Sequence, residues 1–358
     1  MHQKKAEENT RHFIINNLSA VNRITALWAF SEAAFGGVLH AFRIPFSGLF
    51  ICGAAVIFIS LIAHFSERRW EIVRSTLIVV LVKVIISPNT PVNAHFAVLI
   101  QGMLGQLLFL TKRFPGTSSL LLGILASSYS AVQKVVVLTI VFGFTLWESL
   151  DQFGESVMKI FFPHSTGIRI SLLIIGIYSA IHMAGGIASG IIAGRLPIWM
   201  KKFITENEKE INSFSLKEIE EKNNKSKGKS KRRWWKRPSG ILILSFSVIF
   251  ALLTYIFPFF GKNTISEVII MIIRSVLIVF LWFTFAAPYL LKLFRKFVEK
   301  KKNIYTTEIN NVIILFPRLR YLVNENWKRS DSLKGLKRIK HFVITTITIL
   351  IFSDIETE

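Results

Sequence analysis

Long apolar stretches alternate with short charged ones along most of the chain, and this alternation predicts a bundle of membrane-spanning helices. A helix needs about 20 mainly apolar residues to cross a bilayer, and eight stretches come close to that length. The predicted spans cover 25–42, 46–65, 71–87, 92–110, 118–143, 166–194, 239–260 and 266–291. The expected fold class is therefore all-α, a polytopic integral membrane helical bundle of about eight spans.

Two further apolar segments do not fit the pattern of a span. Residues 144–164 interleave acidic and apolar side chains, which is typical of a helix lying on the membrane surface. The last apolar run, 342–352, is too short to cross a bilayer in the ordinary way. We expect it to be re-entrant, interfacial or packed on the other helices, and this ambiguity leaves seven or nine spans open.

Polar segments divide the chain into four parts. A cytoplasmic N-terminal segment, 1–24, precedes a six-span membrane domain, 25–194. A basic cytoplasmic linker, 195–238, leads to a two-span domain, 239–358, with basic cytoplasmic helices and the short apolar run. The long charged linker suggests that the two halves are separate modules.

Charge sets the expected orientation. The chain of 358 residues is 51% hydrophobic, yet its formal net charge is +22. If both termini are cytoplasmic, 37 of the 44 Lys and Arg residues lie on the inner side, as the positive-inside rule requires. The sequence therefore predicts a multi-pass protein of the cell (plasma or inner) membrane. Orientation explains the positive charge, so no nucleic-acid partner is expected.

The first span carries a polar face beside a face of small residues. At 100° per residue, Glu32 and His40 share one face, and Ala29, Ala33 and Gly37 share the neighbouring one. Ionisable groups inside a span indicate a functional site, and small residues allow another helix to pack closely. A second small-residue ladder ends the sixth span at Gly186, Gly190 and Gly194.

Other spans also carry polar residues that are costly inside a bilayer unless they are paired or hydrated. Several of them fall at a similar, outer depth, which favours a polar pocket that opens to the outside. The candidate solute-binding residues are Glu32, His40, Lys83, His95, Lys134, Tyr178 and His182. A structural alternative stays open, in which Glu32 pairs with Lys83 or Lys134 and simply holds helices together.

Enzyme signatures are missing from the sequence. The chain has no HExxH, no GxSxG and no P-loop motif, and the histidines in the spans lack the spacing of metal ligands. We therefore expect neither an enzyme nor a cofactor or metal site, and any ATP-driven role needs a separate partner.

The cytoplasmic basic segments are the expected partner surfaces. Trp234 and Trp235 lie among Lys and Arg at the end of the linker, and this mixture is expected to bind anionic membrane lipid. In 292–340, Arg318 and Arg329 stand beside apolar residues and are candidates for docking a cytoplasmic protein. A basic face lying on lipid headgroups is the alternative.

The six-span half resembles the substrate-binding membrane components of energy-coupling-factor (ECF) transporters. The resemblance rests on the span count, on Ala29-x-x-x-Ala33 and on the turn Ile44-Pro45-Phe46-Ser47-Gly48. It implies capture of a vitamin or metal ion from outside, with the small-residue motif docking a coupling subunit. The second half is faintly similar to that subunit, which implies ATPase docking through Arg318 and Arg329, although Pro-Arg-Leu and Lys-Arg-Ser depart from the usual small-Arg-small pattern.

The favoured function is therefore a membrane component of a transporter that binds a small solute and couples to partner ATPases. Two Lys and two His against one Glu favour an anionic or mixed-charge solute. The alternative is a non-transporting membrane scaffold whose basic cytoplasmic region recruits partners or lipids. A membrane enzyme that acts on lipid is a third interpretation, without positive support from the sequence.

Overall fold

The computed structural model describes residues 20–35, 46–87, 90, 92–111, 113–161, 169–207 and 304–352, with a few single positions between 289 and 299. All regular secondary structure in these ranges is helical, which confirms the all-α prediction for them. Spans seven and eight, most of the linker, His40, Gly37 and the start of the turn at 44–48 lie outside the described residues.

Ten main helices, together with a short 3-10 turn at Ser330–Ser332, make up most of the described part of the chain. Helix α1 covers 20–30 and continues into a wide, π-type turn at Ser31–Phe35. The other helices are α2 (Ser47–Phe65), α3 (Glu71–Ile86), α4 (Val92–Leu108), α5 (Pro115–Phe142), α6 (Thr145–Phe161), α7 (Ile170–Glu206), α8 (Thr306–Ile314), α9 (Phe316–Arg329) and α10 (Gly335–Phe352).

Three of these helices, α2, α5 and α7, are long and apolar enough to cross a membrane. Helices α3 and α4 have 16 and 17 residues. At 1.5 Å per residue they are about 24–26 Å long, slightly less than the roughly 30 Å hydrocarbon core. The observed bounds of α2 to α5 lie within three residues of the predicted spans.

A proline, a glycine and a carboxylate from a neighbouring helix define several helix ends. Pro115 begins α5, where its missing N–H costs nothing. Gly143 ends the same helix with φ 75°, a left-handed value that a side chain disfavours. Asp151 of α6 caps the start of α7, because its carboxylate accepts the backbone N–H and the hydroxyl of Ser171 at 2.7 and 2.9 Å.

The structure differs from the prediction at the end of the sixth span. Helix α7 does not stop near residue 194 but continues to Glu206, with Pro197 inside it. Leu196 and Met200 remain fully buried on the extension. The helix continues because this segment still presents an apolar face to the protein, although its other face is charged.

Helices α5 and α7 pack with their backbones in close contact. A methyl group on Gly123 would overlap the carbonyl oxygen of Gly186. A Cβ on Gly190 would lie 2.7 Å from Leu120 Cα, and one on Gly194 would lie 3.2 Å from Gly116 Cα. The small-residue ladder of α7 is thus occupied by α5 of the same chain.

Residues 304–352 pack against the ends of α1, α3 and α7. The Arg74 guanidinium bridges Glu71, one turn away, and Glu308 of α8, at 2.5 and 3.2 Å. Lys340 lies 4.2 Å above the Trp199 ring of α7. Residues 344–351 of α10 are all buried, so within the short final apolar run they pack on the other helices.

Arg23 connects the first helix to the last. Its guanidinium donates hydrogen bonds to the carbonyl oxygens of Leu350 and Ile351 at 3.1 and 3.0 Å. These carbonyls belong to the last turn of α10, where the backbone has no intrahelical donors left. A cation at this end also interacts favourably with the helix dipole.

Candidate functional site

A buried ion pair joins the first helix to the third. Lys83 of α3 donates from Nζ to Oε2 of Glu32 at 2.7 Å, and the two side chains are only 5% and 1% exposed. A longer contact of 3.5 Å links the same Nζ to the carbonyl oxygen of Ala94. The pair is therefore a shielded charge pair and not a surface salt bridge.

Further polar side chains from neighbouring helices surround this pair. His95 of α4 is buried and lies within electrostatic reach of Lys83. Cys52 of α2 lies within reach of Glu32, and its Sγ is 3.7 Å from Ser127 Oγ of α5. Each of the first five helices thus contributes one polar group to a cluster that we call the ion-pair cluster: Glu32, Cys52, Lys83, His95 and Ser127.

The charged groups of this cluster can both accept and donate hydrogen bonds. Burying two charges costs roughly several kcal/mol of desolvation free energy per ion. The attraction between the two charges offsets this cost only when their geometry is good. A carboxylate and an ammonium group held 2.7 Å apart offer one acceptor and one donor site to a solute of mixed charge. Among the described residues, no group of three or more His, Cys, Asp or Glu is placed to hold a metal ion.

Tyr178 and His182 form a second cluster with Phe46. Their rings lie 4.3 Å apart, and Phe46 stacks on Tyr178 at 5.7 Å with an interplanar angle of 23°. His182 is fully buried, and its Nδ1 lies 3.0 Å from the Tyr178 carbonyl oxygen. No hydrogen bond or ion pair between described residues joins this cluster to Glu32 or Lys83.

Lys134 does not join either cluster. It is exposed on α5, whereas Ser127, two turns earlier, is fully buried. The open choice of partner for Glu32 is thereby decided in favour of Lys83. Of the seven predicted residues, three belong to the ion-pair cluster and two to the second cluster. Lys134 is exposed, and His40 lies outside the described residues.

The predicted docking residues have partners within the chain. Ala29 is fully buried and Ala33 is 9% exposed, so this face of α1 is covered by other helices of the same chain. Arg329 pairs with Glu325 one turn earlier at 3.5 Å, and Arg318 is half-buried on α9.

Sequence reasoning missed Cys52 and Ser127 as neighbours of the charged pair. Both are small and only weakly polar, so neither is costly enough inside a span to attract notice. Cys52 lies in the second turn of α2 and Ser127 near the middle of α5, and these positions inside apolar runs were the available signal.

Comparisons of the chain with protein-family models, with curated proteins and with solved structures return no match.

Proposed function

We propose that this chain is the membrane component of a transporter, and that the Glu32–Lys83 pair is the centre of its solute site. The solute carries an anionic group, a cationic group or both, and on binding it replaces Glu32 or Lys83 as the ionic partner of the other residue. Its anionic group takes Lys83, and its cationic group takes Glu32. Small vitamins, their precursors and metal ions are the classes to test first.

The observation that carries this proposal is the burial of two opposite charges among otherwise apolar helices. Replacing a buried ion pair with well-packed apolar residues often leaves the stability of a protein unchanged or raises it. Helix packing alone therefore gives little reason to keep the pair. Ionisable residues at bilayer depth mark solute and ion pathways in polytopic proteins, which favours a solute-related role.

The proposed topology has eight spans in the cell membrane with both termini cytoplasmic. It is supported by three helices of spanning length and composition and by the distribution of Lys and Arg along the sequence. Solute then arrives from the outside. Because the sequence contains no P-loop, transport driven by ATP would need partner ATPases.

A charge-swap experiment tests the proposal. Glu32→Lys combined with Lys83→Glu keeps an ion pair but exchanges its ends. The purified full chain, in nanodiscs, is screened by thermal shift against vitamins, precursors and divalent cations. We expect a stabilising solute for the native chain and loss of that shift in the swap variant, although its unfolding temperature without solute stays near the native value.

A membrane scaffold is the second candidate, and one observation favours it. The pair is closed, and residues 304–352 pack firmly on the bundle through Arg23 and Arg74. In this case no solute shifts the unfolding temperature of the native chain, and the swap variant behaves like the native chain in every assay. Such a result would remove the transport proposal.

A further inference from the structure

A cavity of about 290 Å³ opens at the end of the bundle where α2 turns into α3 and where α4 ends. Arg68 and Arg69, both exposed, line it together with Glu67 from the same loop. Neither guanidinium forms an ion pair with another described residue. The cavity therefore offers two available cations beside one carboxylate.

Gln106 of α4 forms part of the cavity wall and is only 5% exposed. Its Nε2 donates to the Arg69 carbonyl oxygen at 2.7 Å, which fixes the side chain against the loop. Its Oε1 is buried and has no donor among the described residues. A buried acceptor without a partner is costly. A small rotation of the Gln106 side chain that turns Oε1 toward the cavity would let a ligand donor relieve that cost.

Apolar residues continue the wall beyond the polar groups. Phe109 is buried beneath the cavity, and Leu110 beside it is 43% exposed. The same end of the bundle carries Arg113, also exposed, and the sequence places it on the basic side of the membrane. The cavity thus combines two cations, the unpaired acceptor of Gln106 and an exposed apolar side of its wall. In the proposed topology it lies at the level of the lipid headgroups.

We propose that this cavity binds the headgroup of a glycerophospholipid whose phosphate lies beside Arg68 and Arg69. The headgroup also carries a hydrogen-bond donor, an ammonium or hydroxyl group, which satisfies Gln106. Guanidinium groups are suited to phosphate oxygens. Ethanolamine and glycerol headgroups meet the donor requirement, whereas choline has no N–H or O–H. This inference does not depend on the transport proposal.

Native mass spectrometry of the detergent-purified full chain tests the proposal, with phosphatidylethanolamine, phosphatidylglycerol and phosphatidylcholine of identical acyl chains. We expect the first two lipids to bind at least about fivefold more tightly than the third, as one additional hydrogen bond predicts. Arg68→Gln with Arg69→Gln should weaken phosphatidylethanolamine binding about tenfold or more, since each basic residue near the headgroups contributes to lipid binding.

Two variants make the result specific. Arg113→Gln removes an exposed cation at the same end that does not line the cavity, and it should change the affinity less than about twofold, because solvent and salt screen an exposed charge. Gln106→Leu should abolish the preference over phosphatidylcholine, with thermal unfolding measured to show that it folds. If Gln106→Leu does not fold, the double variant of the exposed residues Arg68 and Arg69 still tests the proposal.

Three outcomes would overturn the proposal. Equal binding of phosphatidylcholine would show that no donor is required. An Arg113→Gln effect as large as that of the double variant would show only general attraction to lipid. Binding of soluble glycerol 3-phosphate as tight as that of the lipids would identify a soluble phosphate ester as the ligand and would remove the lipid assignment.

Discussion

Glu32 and Lys83 are 51 residues apart in sequence, yet their charged atoms lie 2.7 Å apart in a position almost closed to solvent. The carboxylate comes from the wide turn that ends α1 and the ammonium group from the last turns of α3. The pair therefore fixes the first helix on the third and also holds the charges that any solute at this site would meet.

Removal of one partner of this pair should destabilise the protein strongly. Lys83→Met leaves Glu32 buried without a counter-ion, and breaking a buried pair in this way costs about 3–5 kcal/mol. The combined Glu32→Gln and Lys83→Met variant should recover most of that loss, since no charge then remains buried. Thermal unfolding in a fixed membrane mimetic compares both variants with the native chain. Equal losses for the single and the double variant would contradict this energetic account.

The glycine contact between α5 and α7 should tolerate no side chain. Gly186→Ala would force its methyl group to within 2.8 Å of the Ser127 side chain and closer still to the Gly123 carbonyl. Overpacking of this kind costs about 1–3 kcal/mol. Gly176→Ala is the matched control on the same helix, because a Cβ there meets nothing within 4 Å. The control should unfold at or above the native temperature. A similar loss in both variants would mean that contact with α5 is not what makes Gly186 sensitive to substitution.

Arg23 should hold the last turn of α10 in place. Arg23→Met removes two hydrogen bonds to the Leu350 and Ile351 carbonyls, and hydrogen bonds to a charged donor contribute about 1.5–3 kcal/mol. We expect faster amide exchange at the end of α10, measured by mass spectrometry, with exchange in α5 unchanged. Arg195→Met, which removes an exposed guanidinium on α7, is the control and should leave α10 as protected as in the native chain.

The helices themselves could be predicted well where apolar runs end at charges or prolines. Helix α2 ends at the charged loop that begins with Ser66, and α5 begins at Pro115. The end of α7 could not be predicted in this way. Arg195 and Pro197 suggested a linker, whereas burial of Leu196 and Met200 on the inner face extends the helix to Glu206.

The site could be predicted only in part, because helix periodicity places residues on faces but does not say which faces meet. Glu32 was recognisable as a group that needs a partner, and Lys83 and Lys134 were equally suitable by charge. Only the path of the helices brings Lys83 to it and leaves Lys134 exposed. Arg23 looked like an ordinary residue of the polar N-terminal segment, and no spacing in the sequence links it to the end of α10.

Labelling of single cysteines should establish both the orientation of the chain and whether the shorter helices α3 and α4 cross the membrane. In a Cys52→Ser background, Glu67→Cys lies in the exposed loop before α3 and Glu148→Cys is exposed on α6. Three helices, α3 to α5, separate the two positions, so they lie on opposite sides if each helix crosses.

A membrane-impermeant maleimide added to intact cells should therefore label Glu148→Cys and should label Glu67→Cys only after lysis. The native chain is the control, because Cys52 is 1% exposed and should react only after denaturation. Labelling of Glu67→Cys alone would reverse the proposed orientation. Labelling of both positions from the same side would mean that either α3 or α4, at about 24–26 Å, does not cross the bilayer.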